Sequence, residues 1–289
     1  MKTILYATDY SENSVAALKY AYSLSTAINA TLEVIHIFDY PTMLDGLSLE
    51  AEDPFPDIEG DAFKKHNAKL KDFCKEHLGS ELEKMNVKIE AIEDTSVIDG
   101  IISKASNVAP LLIVTGMKGG SILREVIMGN TTKHLIEKSP CPVLAIPAGV
   151  SHKEIKTIVY ATDFEEEDLG AIDKLAEIAE LLQAKIKIVH ISSSERIIGK
   201  AEKKEIEDKI HKCIPYRNLE FNILYSDDVF NDLKIYLGKA NADVIAMLER
   251  ENKSIISEIF HRDLVKKMES YGKIPLMSFN AHNYGIFHL

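Results

Sequence analysis

The chain of 289 residues has no tryptophan and only three cysteines, Cys74, Cys141 and Cys213. These cysteines are far apart and share no spacing, which argues against a disulfide framework or a cysteine-based zinc site and leaves reduced, mostly buried thiols. Long apolar runs are missing too, and nothing approaches the roughly 20 residues that a membrane-spanning helix needs. Basic residues are outnumbered, 34 Lys and Arg against 45 Asp and Glu, and the net charge of −11 opposes non-specific binding to nucleic acid or to an anionic membrane. His66, His77, His134 and His282 make no recognisable metal spacing. There is no nucleophile elbow with its triad and no kinase signature set. Neither a Gly-x4-Gly-Lys-Ser/Thr phosphate loop nor a dinucleotide Gly-x-Gly-x-x-Gly occurs. The segment Met1 to Tyr6 runs directly into a strand pattern without a signal-peptide layout, so the expected location is cytoplasmic.

What is present is the make-up of a soluble globular protein, with 46% hydrophobic and 27% charged residues and room for two domains. Lys2–Asp9, Thr31–Ile37, Val87–Ile92, Leu111–Thr115 and Pro142–Pro147 read as strands. Helices are expected after Ser11 or Asn13, over Ala62–Glu83 with a break near Gly79, over Val97–Asn107 and over Lys133–Lys138. Residues 39–60 are acidic, contain three prolines and read as a long loop. Prolines at both ends of the fifth strand argue for an edge position. Strands alternating with helices predict an α/β fold with parallel sheets.

The second half repeats the first. Thr3-Ile4-Leu5-Tyr6-Ala7-Thr8-Asp9 returns as Thr157-Ile158-Val159-Tyr160-Ala161-Thr162-Asp163, an offset of 157 − 3 = 154. Leu32–Ile37 meets Ile186–Ile191 at that same offset, whereas Asn86 meets Asn218 at an offset of 132, so the second copy lacks a counterpart of the acidic loop. Pro142-Val143-Leu144 corresponds to Pro275-Leu276-Met277. Such a duplication settles the architecture before any motif does. The two expected domains are residues 1–149 and 150–289.

The stretch from Gly116 to Thr132 is the most informative. It lies between the strand ending at Thr115 and the following helix, with Asn130 expected as the N-cap. The free N–H groups and the dipole of a helix start favour an anion, and Gly116, Gly119 and Gly129 would let backbone approach it. Taken alone, three loop glycines only make turns. The strand before them and the helix after them favour a phosphate cradle. In the second copy, with no glycine between Gly238 and Gly272, side chains would fill that space, and Glu249 and Glu251 would repel phosphate. The run Glu165-Glu166-Glu167-Asp168 reads as a solvated acidic face at a helix start.

The spacing Gly116-x2-Gly119-x9-Gly129 resembles the nucleotide motif of the universal stress protein family, whose ATP-binding members carry Ser or Thr after the last glycine. Here that position holds Asn130, followed by Thr131 and Thr132. The resemblance covers both halves and implies a tandem member. It implies open five-stranded parallel sheets with order 3-2-1-4-5, helices on both faces, and a ligand at the topological switch point between strands one and four. It implies ATP as the ligand, with Mg²⁺ as its companion ion. Asp9 would meet the ribose or base region, and backbone at Ala7, Thr8 and Ile37 would line the adenine slot. Lys118, Gly119, Gly129, Asn130, Thr131 and Thr132 would hold the triphosphate, beyond Gly116. Without the glycine motif, Asp9 reads equally as a turn or capping residue. His36 and His190, at the same place in the two copies, read as structural. Family domains pair through edge strands, which implies a pseudo-dimer of the two halves inside one chain and leaves a homodimer of chains and protein partners open. The function so implied is a stress-response or signalling module binding one nucleotide in the first half. The alternatives are a weak ATP-hydrolysing enzyme of the same fold and a nucleotide-free scaffold.

Overall fold

The computed structural model describes residues 2–40, 58–79, 82, 86–117, 130–151, 153–193, 197–250, 268 and 274–284. The first copy contributes β1 (Thr3–Ala7), α1 (Glu12–Ala27), β2 (Thr31–Phe38), α2 (Ile58–Leu78), β3 (Val87–Glu93), α3 (Val97–Val108), β4 (Leu112–Gly116), α4 (Asn130–Lys138) and β5 (Val143–Ile146). The second contributes β6 (Thr157–Ala161), α5 (Glu166–Leu182), β7 (Lys185–Ser192), α6 (Lys200–Cys213), β8 (Leu219–Tyr225), α7 (Val229–Ala240), β9 (Val244–Glu249) and β10 (Leu276–Asn280).

All strand pairs within each half are parallel, in the order β3-β2-β1-β4-β5 and, read from the far side, β8-β7-β6-β9-β10. Each copy therefore has the order 3-2-1-4-5. One antiparallel pair, Leu276–Ala145 through Ser278–Val143, joins β10 to β5 and makes a single ten-stranded sheet. β5 thus stands at the edge of the first copy's own sheet, as its prolines suggested, and becomes an inner strand only of the joint sheet, through its pairing with β10. Pro142 and Pro147 flank the strand instead of interrupting it, and the Pro142 carbonyl still accepts a bond from the Ile113 N–H at 2.9 Å.

Alternation along the strands assigns the two faces. Ile4, Tyr6, Leu32 and Val34 turn to the face covered by α1 and α2, in a core cluster that continues across α5 and α6 of the second copy. Leu5, Ile35, Ile37 and Ile113 turn to the opposite face beneath α3 and α4. On that face of the second copy, Val159, Val189 and Ile245 meet α7.

Helix ends differ from the sequence reading where local chemistry decides them. α2 starts at Ile58, inside the stretch read as loop, and stops at Leu78, because Gly79 takes φ +107°, which only glycine adopts freely. Residues 41–57 of that loop lie outside the described residues. α4 begins at Asn130, three residues earlier than expected, so Asn130 is its first helical residue and not its cap. Among the described residues no helix is long and apolar enough to cross a membrane.

Candidate functional site

Strands β1 and β4 are neighbours, but β1 connects outward to β2 and β4 onward to β5, so their carboxyl ends open a crevice. A cavity of about 330 Å³ lies there, a size in the usual range for small-molecule sites. Its described lining combines Ala7 at the end of β1 with Thr8 and Asp9 just after it, Ile37 on β2, Thr115 and Gly116 on β4, and Asn130, Thr131 and Thr132 at the start of α4. Ser11, Asn13, Ser14, His36, Val97 and Ile101 complete it. Eight of the residues singled out from the sequence therefore share one cavity wall, although more than a hundred positions separate Ala7 from Gly116. Lys118, Gly119 and Gly129 lie outside the described residues.

Close packing at the floor depends on Gly116. A Cβ there would stand 2.8 Å from the carbonyl oxygen of Asn13 and 3.0 Å from its carbon, in the first turn of α1. This backbone cannot rotate away as the tip of a side chain could. The glycine thus lets the start of α1 approach the end of β4.

Asp9 and the first turn of α1 form one hydrogen-bonded unit. The Ser11 N–H and the Ser14 hydroxyl donate to Asp9 Oδ1 at 3.0 and 2.8 Å. Ser14 also shares a 3.1 Å bond with Thr8 Oγ1, and the buried Tyr6 hydroxyl donates to the Ser14 carbonyl at 2.6 Å. Burial pushes the Asp9 carboxyl up, but the bonds from Ser11 and Ser14 outweigh it and hold it below the usual carboxylate range. The turn is tightened by Tyr10, at φ +64°, whose N–H donates to Thr8 Oγ1 at 3.0 Å. A left-handed aromatic residue stores strain of about 1 kcal/mol or more. Phe164 repeats both the angle and the bond in the second copy, at φ +64° and 2.9 Å from Thr162 Oγ1.

His36 stands beside this turn. Its Nδ1 lies 2.9 Å from the Thr8 carbonyl, which can only accept, so Nδ1 carries the proton. Burial and the Lys69 ammonium lower its pKa against the opposing pull of the Thr8 bond and Asp9. His190 makes the same bond to Thr162 at 2.8 Å, in keeping with a structural role. On the α4 side, the Thr132 hydroxyl turns inward, donating to the Gly116 carbonyl at 3.2 Å and meeting Thr115 Oγ1 at 3.4 Å. It fixes α4 to β4, where the sequence pointed to it as a phosphate contact. Asn130 and Thr131 are exposed at the helix start, where the first N–H groups have no partner within the helix.

The second copy encloses only about 20 Å³ at the equivalent crevice. β1 aligns Ile4 with Leu112 and β6 aligns Ile158 with Val244, so the counterpart of Gly116 is residue 116 + 132 = 248. That residue is Leu248, 3% exposed. Two positions on, Arg250 reaches back to the start of α5, with its guanidinium 3.0 Å from Glu165, 3.3 Å from Asp168 and 3.7 Å from Glu167. The acidic run read as a solvated face is therefore the anchor of this arginine. Asp168 is only 3% exposed, closes a capping box with Glu165 and accepts from the Tyr160 hydroxyl at 2.6 Å. Asp168 replaces Ser14 at the 154 offset. That change from serine to aspartate, together with Arg250, is the signal in the sequence for this ion-paired start of α5. Glu249 ends β9, and Glu251 lies outside the described residues.

Residues 1–147 match the profile of the universal stress protein family. A universal stress protein of Methanocaldococcus jannaschii is 26% identical over 157 residues, covering 50% of this chain and 94% of that protein. The stress response protein NhaX of Bacillus subtilis is 28% identical over 161 residues, 50% of this chain and 96% of its own. The crystal structure of a universal stress protein from Archaeoglobus fulgidus superposes with a TM-score of 0.68 at 17% identity, covering 96% of this chain and 98% of that one, so the shared fold extends through both copies. With the family profile spanning half of its length, over the copy that carries the open crevice, this chain belongs to the universal stress protein family.

Proposed function

We propose that residues 1–149 bind one adenine nucleotide, ATP, and that residues 150–289 form a second unit of the same fold whose crevice the chain itself has filled. The observation that carries this reading is the contrast between a cavity of about 330 Å³ in the first copy and about 20 Å³ at the same place in the second.

The residues present suit the ligand. The N–H groups at the start of α4, from Asn130 to Thr132, face a cavity and would take phosphate oxygens, aided by the helix dipole. Gly116, with Lys118, Gly119 and Gly129 in the connection to α4, would complete that end. Asp9, ionised and held by Ser11 and Ser14, would accept from ribose hydroxyls. Ala7, Thr8 and Ile37, with Val97 and Ile101, offer a largely apolar wall for the base. Magnesium would arrive with the triphosphate, ligated chiefly by its oxygens.

The role is that of a stress-response or signalling module. Asp9 and His36 are the only ionisable side chains in the described lining, and both already hold partners inside the fold. Neither is poised as a general base. The two halves act as a pseudo-dimer, since the pairing of β5 with β10 makes within one chain the edge-strand contact expected between family domains.

Calorimetric titration with Mg·ATP should give saturable binding at one site per chain, abolished or strongly weakened in Asp9→Ala. Two equivalent sites, or no binding at millimolar nucleotide by folded protein freed of ligand by exhaustive dialysis at neutral pH, would overturn the proposal.

A further inference from the structure

The helix whose start faces the cavity is held at its other end by the second copy. α4 has nine residues, Asn130–Lys138, and is therefore about 13 Å long. Its last carbonyls have no partner within the helix and must be satisfied from outside. Asn280, the last residue of β10, donates from Nδ2 to the Glu137 carbonyl at 2.5 Å. Asn283, in the 3-10 turn that follows, donates from Nδ2 to the Ser139 carbonyl at 2.7 Å. The Asn280 amide is fixed at both ends, because its Oδ1 accepts from the His282 N–H at 3.0 Å. Asn280 is buried, and Phe279 before it packs edge-on against Tyr284 and Tyr160. The grip thus comes from a rigid part of the second copy.

The first copy lacks these two donors. The offset between the last strands is 275 − 142 = 133, so the counterparts of Asn280 and Asn283 in the first copy are Pro147 and Val150. Neither side chain can donate a hydrogen bond.

We propose that Asn280 and Asn283 are positioning residues for the first copy's ligand site. The second copy sets the place of α4 from its carboxyl end, and a short stiff helix carries that placement to Asn130–Thr132 at the cavity. Occupation of the cavity and docking of the segment from β10 to Tyr284 are then linked, and by reciprocity each strengthens the other. This rests on the nucleotide reading above for the identity of the ligand but not for the existence of the grip.

The test uses the full chain and two variants, Asn280→Asp, which keeps the size and the acceptor while removing the donor, and the milder Asn283→Ala at an exposed position. Hydrogen exchange without ligand reads the grip. Amides of 130–138 should exchange faster in both variants while those of 12–27 stay as in the parent. Titration with Mg·ATP well below the unfolding temperature reads the linkage. Affinity should fall about fivefold in Asn280→Asp, and in the parent the nucleotide should slow exchange across 276–284. A residue that served stability alone would lower the unfolding temperature and leave affinity unchanged. Unchanged exchange in α4, or affinity within twofold of the parent in both variants, overturns the proposal. If the parent binds no nucleotide, it is the functional reading that fails, and the grip is then judged on the exchange of α4 alone.

Discussion

Replacing Gly116 with alanine should disturb both stability and ligand binding, and the structure sets the scale. The new Cβ would stand 2.8 Å from the Asn13 carbonyl oxygen and 3.4 Å from the Ser14 nitrogen. Relief requires the start of α1 to move away from β4 by some tenths of an ångström. Three bonds converge on that turn, from Tyr6, from Thr8 and from Ser14 to Asp9, all between 2.6 and 3.1 Å. Overpacking of this kind costs about 1–3 kcal/mol. In a unit of 150–250 residues each kilocalorie lowers the unfolding temperature by about 2–4 °C. The expected result is therefore a fall of several degrees. Because the displaced turn carries Asp9, we also expect nucleotide affinity to fall about tenfold, the equivalent of about 1.4 kcal/mol. Leucine at this position, which copies Leu248 of the second half, should abolish binding. Scanning calorimetry with and without Mg·ATP measures both effects. An alanine variant that melts within 1 °C of the parent and binds within twofold would show, on the order of these estimates, that the close approach at Gly116 does not matter.

Two further expectations follow from charge. Asp9 and His36 both have folded pKa values below their unfolded ones, so each contributes stability that is present at higher pH and lost on acidification. The loss begins below about pH 6.5 for His36 and below about pH 4 for Asp9. Unfolding temperature against pH should show Asp9→Asn flattening the lower limb only, and an unchanged lower limb would contradict the assignment. In the second copy, Arg250→Ala strands the buried Asp168 beside Glu165 and Glu167. It should destabilise by up to about 3 kcal/mol, with Asp168 still held by Tyr160. Glu165→Gln, at a half-exposed partner, should cost under about 1 kcal/mol. Equal losses in the two variants would mean that Arg250 acts by packing and not by its charge.

The doubled α/β architecture was legible in the chain, because strand alternation, helix starts and a repeat offset are all local signals. The glycines of the first copy, and their absence from the second, pointed to the crevice that is open, about 330 Å³ against about 20 Å³. The Gly116-x2-Gly119-x9-Gly129 spacing and Asp9 pointed to one end of one sheet, and the cavity there is lined by Ala7, Thr8, Asp9, Ile37, Gly116 and the start of α4. Local signals could not report what depends on contact between distant segments. Prolines 142 and 147 marked the edge of the first copy's sheet, but the register in which β10 covers that edge is set by three-dimensional docking of the two halves. Nothing local showed that the Thr132 hydroxyl turns to the Gly116 carbonyl, which leaves its backbone N–H as the group that would meet a ligand. The acidic run at 165–168 looked solvated because its partner, Arg250, lies some eighty residues away. These roles emerge on folding, since a side chain's role is fixed by what stands opposite it, and here the opposing residue comes from a remote part of the chain.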